Sequence, residues 1–358
     1  MRRRDFLLSA VGGTLAAFGS FDDILPLNAA GRAEAGDAEI PYGAAVKTEL
    51  LDVDVQYTDA IKRYCRMIVG EGGLKWADLR PQPETFDFTQ ADRQLEFADA
   101  NGMTMRGHTL VWYAAMPDWA LNLATPLAAE LELVNHIETV LDRYRGRIPS
   151  WDVVNEPIAD DPSGRDVIRP SVWSEQLGRG YIETSLRTAA EADPNAQLII
   201  NDFNFEKPTT QCRRRRAAMI DLLRELKDNG VPLHGLGLQG HLTGASEIDQ
   251  DGLSRFVEDV NELELDVLVT ELDVIDDKLP GNVHVRDQIV ASRVKDYLDA
   301  ITDVVQPKAI LTWGISDRYT WVPMWFSRSD GLPNRPLPLD DKYQPKALFS
   351  VLQQYTSI

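Results

Sequence analysis

From residue 40 onward the chain alternates short, nearly unbroken apolar runs with longer stretches in which apolar residues recur every three or four positions. The short runs are YGAAV (42–46), RMIVG (66–70), MTMRGHTLVW (103–112), SWDVVN (150–155), QLIIND (197–202), GLGLQGH (235–241), DVLVTEL (266–272) and AILTWG (309–314). Runs of that kind mark strands buried on both faces. Helix-period stretches lie between them at 54–65, 89–100, 127–144, 172–192, 213–229, 250–261 and 285–304, with 345–354 at the end. Thr89 reads as a start signal ahead of Ala91–Ala100, which stops before Gly102, and Lys227-Asp228-Asn229-Gly230 closes another helix. Eight strand-then-helix units predict an α/β fold, a (β/α)8 TIM barrel in a single domain.

That fold locates the chemistry, because barrel enzymes work at the C-terminal ends of their strands. Polar and aromatic residues that end the apolar runs are therefore candidates: Glu71, Lys75, His108, Trp112, Asn155, Glu156, Asp202, Asn204, Gln239, His241, Glu271, Asp273, Trp313 and Trp321. Two carboxylates among them, Glu156 after the fourth run and Glu271 in the seventh, would face each other across the barrel mouth. Glycosidic bond cleavage needs such a pair, one protonated and one ionised. Glu271 lies two residues before Asp273 and shares the rim with His241. An imidazole held by Asp273 would donate to Glu271 and keep it ionised, as a nucleophile must be. Glu156 is followed by Pro157, which has no N–H to offer. With few donors and a negative neighbour, its carboxyl is expected to be raised, as suits a general acid.

Composition narrows the rest. The formal net charge is −19 over 358 residues, which argues against a nucleic-acid partner, since that needs a basic surface. The one basic run, Arg213 to Arg216, reads as a solvated helix face. His234 precedes its strand and reads as structural at the barrel bottom, while His136 and His284 read as helix-surface or loop residues. Residues 1–35 resemble a twin-arginine signal peptide, with Arg3-Arg4 ahead of a weak apolar run and Ala33-Glu34-Ala35 as a cleavage site (Ala29-Ala30 is a rival). The expectation is export to the periplasm or medium, with residues 36–358 as the catalytic barrel. Two cysteines, Cys65 and Cys212, make no disulfide framework. No segment is long and apolar enough to predict a membrane span.

The motifs GGLKW (72–76), RGHTLVW (106–112), WDVVNEP (151–157), INDFN (200–204), GLQGH (237–241), VTELDV (269–274) and TWGISDRYTW (312–321) together resemble glycoside hydrolase family 10, the endo-β-1,4-xylanase family, over nearly the whole length from YGAAV. The resemblance implies a retaining endo-xylanase without cofactor or metal, acting as a monomer on xylan or xylo-oligosaccharides. It implies Glu156 as acid/base and Glu271 as nucleophile, with His241 and Asp273 orienting Glu271. Asn155 would bind the 2-hydroxyl of the sugar being cleaved. Glu71, Lys75, His108 and Gln239 would line the non-reducing side, and Trp112, Trp313 and Trp321 would cage the ring nearest the cut. Two positions depart from the family: Gly72 stands where an asparagine is usual, and Phe203 where a tyrosine is usual. Both remove polar groups from the glycone side.

Three other readings compete. A metal-dependent barrel hydrolase could use His241, Glu271 and Asp273 as ligands, but the first strand supplies no His-x-His pair. A non-catalytic carbohydrate-binding barrel predicts loss of one carboxylate, and both are present. The runner-up is a retaining β-1,4-glucanase or cellulase, which shares the chemistry and differs in room for a hydroxymethyl group.

Overall fold

The computed structural model describes residues 39–164 and 167–358; the predicted signal segment lies outside them. Among the described residues nine strands form: β1 (Tyr42–Val46), β2 (Met67–Gly70), β3 (Thr104–Val111), β4 (Ser150–Asn155), β5 (Gln197–Asp202), β6 (Gly235–Leu238), β7 (His241–Thr243), β8 (Asp266–Ile275) and β9 (Ile310–Thr312). All pair in parallel. Each of β1 to β5 pairs with the next, β6 pairs with β8, β8 with β9, and β9 with β1, which closes an eight-stranded barrel. The predicted run 235–241 splits into β6 and the short β7. β7 pairs only with the far end of β8, His241 opposite Asp273.

The barrel encloses Ala45, Val69, Ile199, Leu268, Ala309, Leu311 and Trp313, while a larger core lies between strands and helices. Most predicted helices form, with starts shifted by their caps. Thr209 accepts from Cys212 N, so the helix predicted from 213 begins at Thr210. Thr125 and Asn282 likewise start Pro126–Tyr144 and Val283–Thr302. Thr89 is the first residue of its helix rather than a cap. Its N–H is taken by Asp87 Oδ1 at 2.9 Å. The stretch 172–192 is two helices, Val172–Leu177 and Gly180–Ala192. They part at Gly178, whose φ of 60° suits glycine best.

Two expectations about single residues fail. Arg213 and Arg214 are exposed, but Arg215 and Arg216 are buried and ion-paired, with Asp202 and Asp249. His136 is not on the surface: it is fully buried, stacked on Trp76 with ring centres 3.9 Å apart. Burial, with Arg80 nearby, holds it well below the ordinary histidine range, hence neutral. His234 does lie at the barrel bottom, where its Nδ1 accepts from Leu198 N at the start of β5. His284 is exposed.

Candidate active site

The predicted rim residues converge on a hydrogen-bonded system that begins inside the barrel. Asn201, the fifth residue of β5, is fully buried. Its Nδ2 donates to Glu271 Oε1 at 2.7 Å and to Asn155 Oδ1 at 2.9 Å, and its Oδ1 accepts from Thr270 Oγ1 at 2.7 Å. The bare Cα of Gly237 makes room, since a Cβ there would stand 2.3 Å from Asn201 Oδ1. Consecutive residues Thr270 and Glu271 both reach Asn201 because the β8–β9 register shifts between Val269 and Leu272. An irregularity of that kind turns a side chain that strict alternation would point away.

Glu271 is held from its other side as well. Its Oε2 lies 3.2 Å from His241 Nε2, and His241 Nδ1 lies 2.9 Å from Asp273 Oδ1. Trp321 Nε1 donates to Asp273 Oδ2 at 2.7 Å. The predicted cage residue Trp321 therefore also fixes the residue that orients the imidazole. Burial opposes charge on Glu271, but the His241 hydrogen bond and the nearby His108 and His241 outweigh it and hold the carboxyl below its usual value. Burial likewise opposes the imidazolium, yet Asp273 first and Glu271 next push His241 up to about 10.

This has a measurable consequence. A histidine raised in the fold adds stability that is complete below its unfolded pKa of about 6.5 and lost as pH rises to the folded value. Wild-type stability is therefore expected to decline between about pH 6.5 and 10 through this group, and His241→Asn should flatten that decline. Denaturant midpoints across the range test it. Parallel curves for the two proteins would mean that His241 is neutral in the fold.

Glu156 stands just past β4 with φ 57°, a left-handed conformation that costs a non-glycine residue about 1–2 kcal/mol. Its backbone is clamped: its N–H donates to Asn201 O at 2.7 Å, and Arg169 Nε donates to its carbonyl at 2.9 Å. The expectation of few donors is corrected. Glu156 Oε1 accepts from Gln239 Nε2 at 3.0 Å and from Asn155 Nδ2 at 3.3 Å. Gln239 Nε2 also reaches Asn155 Oδ1 at 3.3 Å. Gln239, predicted on the glycone side, thus holds Glu156. An unbroken amide chain runs from Glu156 through Gln239, Asn155 and Asn201 to Glu271. Tyr113 also stands at this group: burial, then the Glu156 charge, raises its hydroxyl.

On the other wall, His108 Nδ1 lies 3.0 Å from Asp152 Oδ2 and 4.0 Å from Glu271 Oε1. Asp152 is in turn paired with Arg106 at 2.6 Å, both buried. The structure therefore sets His108 beside Glu271. Lys75 Nζ sits 5.0 Å from the Trp112 ring and 5.5 Å from the Trp313 ring, and Trp313 meets His108 edge-on at 5.2 Å. Glu71 pairs with Lys47 at 3.7 Å. Burial pushes its carboxyl up to about 7 against the pull of Lys47 and Lys75. A Cβ at Gly72 would stand 2.9 Å from Asp78 Oδ2. The Phe203 ring lies over the guanidinium groups of Arg215 and Arg169, at 4.7 and 5.5 Å. Asn204 holds Lys207 at 2.9 Å, and Asp202 points outward to Arg215. Asn201, Tyr113, Arg169, Asp152, Arg106 and Lys47 are the residues that the sequence reading missed.

Two buried carboxylates at the mouth of a parallel barrel, one beside a charged imidazole and one held by amides, make a barrel glycoside hydrolase. The chain belongs to glycosyl hydrolase family 10, whose model matches residues 32–355. It is 35% identical over 300 residues to a β-1,4-xylanase of Dictyoglomus thermophilum, covering 81% of each chain. It is 31% identical over 352 residues to endo-1,4-β-xylanase B of Thermotoga neapolitana, covering 97% of this chain and 96% of that one. Among solved structures, xylanase 10B from Thermotoga petrophila RKU-1 in complex with xylobiose superposes with a TM-score of 0.80 at 31% identity, over 89% of this chain and 94% of that one.

Proposed function

We propose that this protein is an endo-β-1,4-xylanase that cleaves internal bonds of xylan with retention of configuration. The observation that carries the reading is the Glu271 carboxylate, fixed by Asn201 on one oxygen and by the His241–Asp273 pair on the other. A carboxylate so held stays ionised and aimed, which suits attack on the anomeric carbon. Glu271 oxygen bonds to that carbon as the glycosidic C–O bond breaks, and Glu156 gives its proton to the leaving oxygen. Glu156 then takes a proton from water, the water oxygen bonds to the same carbon, and Glu271 is released. Gln239 and Asn155, bonded to Glu156, keep it in place through both roles. Asn155 Nδ2 would also donate to the 2-hydroxyl of the reacting sugar. The choice of xylan rests on the relatives named xylanases.

Proton NMR of early hydrolysis of xylan tests substrate and stereochemistry together. β-Anomeric xylo-oligosaccharides are expected first, which implies a carboxyl separation of about 5–5.5 Å. First-formed α-anomers would mean inversion, and strong hydrolysis of carboxymethylcellulose with none of xylan would favour the glucanase reading.

A further inference from the structure

The loop between β9 and the last helix (Ala347–Leu352) carries the consecutive residues Met324, Trp325 and Phe326. Met324 and Trp325 are each 76% exposed and Phe326 is 36% exposed. Two large apolar side chains that far out of the fold contribute little to its core, and adjacent exposed apolar groups mark contact surfaces. The segment is nevertheless held firmly. Trp325 N and Phe326 N donate to Val322 O at 3.2 and 2.8 Å, and Asn334 Nδ2 donates to Phe326 O at 3.1 Å. The rest of the loop is keyed to Asp276, the fully buried residue that follows β8. Asn334 Nδ2 donates to Asp276 Oδ1 at 2.7 Å, Arg335 N to Oδ2 at 2.9 Å, and Arg328 to the Asp276 carbonyl and, at 2.7 Å, to the Leu279 carbonyl. The strand that carries Glu271 therefore also anchors the loop that carries Trp325.

An aromatic path leads from the reaction centre as far as Phe326. The His241 and Trp321 rings meet at 5.2 Å, the Trp321 and Phe326 rings at 5.9 Å, and Trp325 is the next residue along the loop. A flat, rigid indole beside a sugar site offers apolar area with only two side-chain torsions to freeze.

We propose that Trp325 is a stacking platform for further sugar rings of the polysaccharide chain whose bond is cut at Glu156 and Glu271, so that it favours long chains over short substrates. This rests on the proposed xylanase activity. The experiment compares kcat/KM on polymeric xylan and on an aryl xylobioside for wild type, Trp325→Ala and Trp325→Phe. Trp325→Ala is expected to lose about 3- to 10-fold on xylan, to keep its rate on the xylobioside, and to regain most of the loss as Trp325→Phe. Equal loss on both substrates, or none on either, overturns the platform while leaving the xylanase reading standing. A wild type inert on both substrates sinks the xylanase reading and the platform with it. Sedimentation of both proteins supplies a further arm: self-association in the wild type that Trp325→Ala abolishes, with xylan kinetics unchanged, would assign the surface to a second copy and overturn the proposal.

Discussion

Glu271→Ala is expected to abolish turnover on every glycoside, by about 10⁴-fold or more, because no other group can form the covalent intermediate. Glu156→Ala should behave differently. It should lose about 10²- to 10⁴-fold on xylan, where the leaving oxygen needs a proton, yet spare the first step on aryl glycosides whose leaving groups depart as anions. The split follows from the geometry. Glu271 lies between Asn201 and His241, with the His241–Asp273 pair favouring its charged form. Glu156 is met by neutral amides, Gln239 and Asn155, which can turn either a donor or an acceptor toward it. Azide should restore Glu156→Ala by attacking the glycosyl-enzyme without needing a base, giving a β-glycosyl azide; with Glu271→Ala it should give the α-anomer. Equal losses for Glu156→Ala on activated and unactivated substrates would sink the acid assignment, and a β-azide from Glu271→Ala would sink the nucleophile.

The barrel was legible because eight apolar runs and eight amphipathic stretches alternate without a break, and several of the runs end in polar residues. The site was legible only where a residue announces itself at a strand end. Glu156, Glu271, His241 and Asp273 do so. Asn201 does not, and the reason is physical. A strand buried on both faces has no polar side, so alternation does not say which residues face the lumen. Asp202 and Asn201 are neighbours of similar size; Asn201 points inward to Glu271, while Asp202 points outward to Arg215. The same blindness hid Asp152, which backs His108 and Arg106 from within β4. Register shifts in β4 and β8 compound it, since each changes which residues face inward midway along a strand. His136 was misplaced for a related reason: its helix is amphipathic, and an imidazole can lie on the buried face as a neutral ring stacked on Trp76.

Arg215 was misread in the same way, and its substitution should have the second large effect. Arg215→Met is expected to destabilise the protein by about 3–5 kcal/mol, the range for removing one partner of a buried ion pair. Arg215 Nη2 donates to Asp202 Oδ1 at 2.5 Å, its Nε to Phe203 O at 3.0 Å, and its Nη1 to the carbonyls of Ile158 (3.0 Å) and Ala159. Asp202 also accepts from Phe203 N at 2.8 Å and Ile158 N at 3.0 Å. The pair thus fastens the segment after Glu156 to the segment after β5. Methionine fills the volume but leaves a buried carboxylate facing three unpaired carbonyls. Burial already pushes Asp202 up to about 6, with Arg215 pulling the other way and Glu156 adding to the rise. A carboxyl raised in the fold makes stability fall as pH climbs from its unfolded value, about 4, through the folded one. Without Arg215 that fall should steepen and run to higher pH, so the deficit of Arg215→Met should be smaller near pH 5 than near pH 8. Neutralising the stranded group with Asp202→Asn should recover at least about 1 kcal/mol of the loss in the double variant. Urea denaturation of the four proteins at the two pH values measures both effects. A deficit that is the same at each pH, with no recovery in the double variant, would show that Arg215 contributes packing and carbonyl bonds alone and that Asp202 stays charged without it.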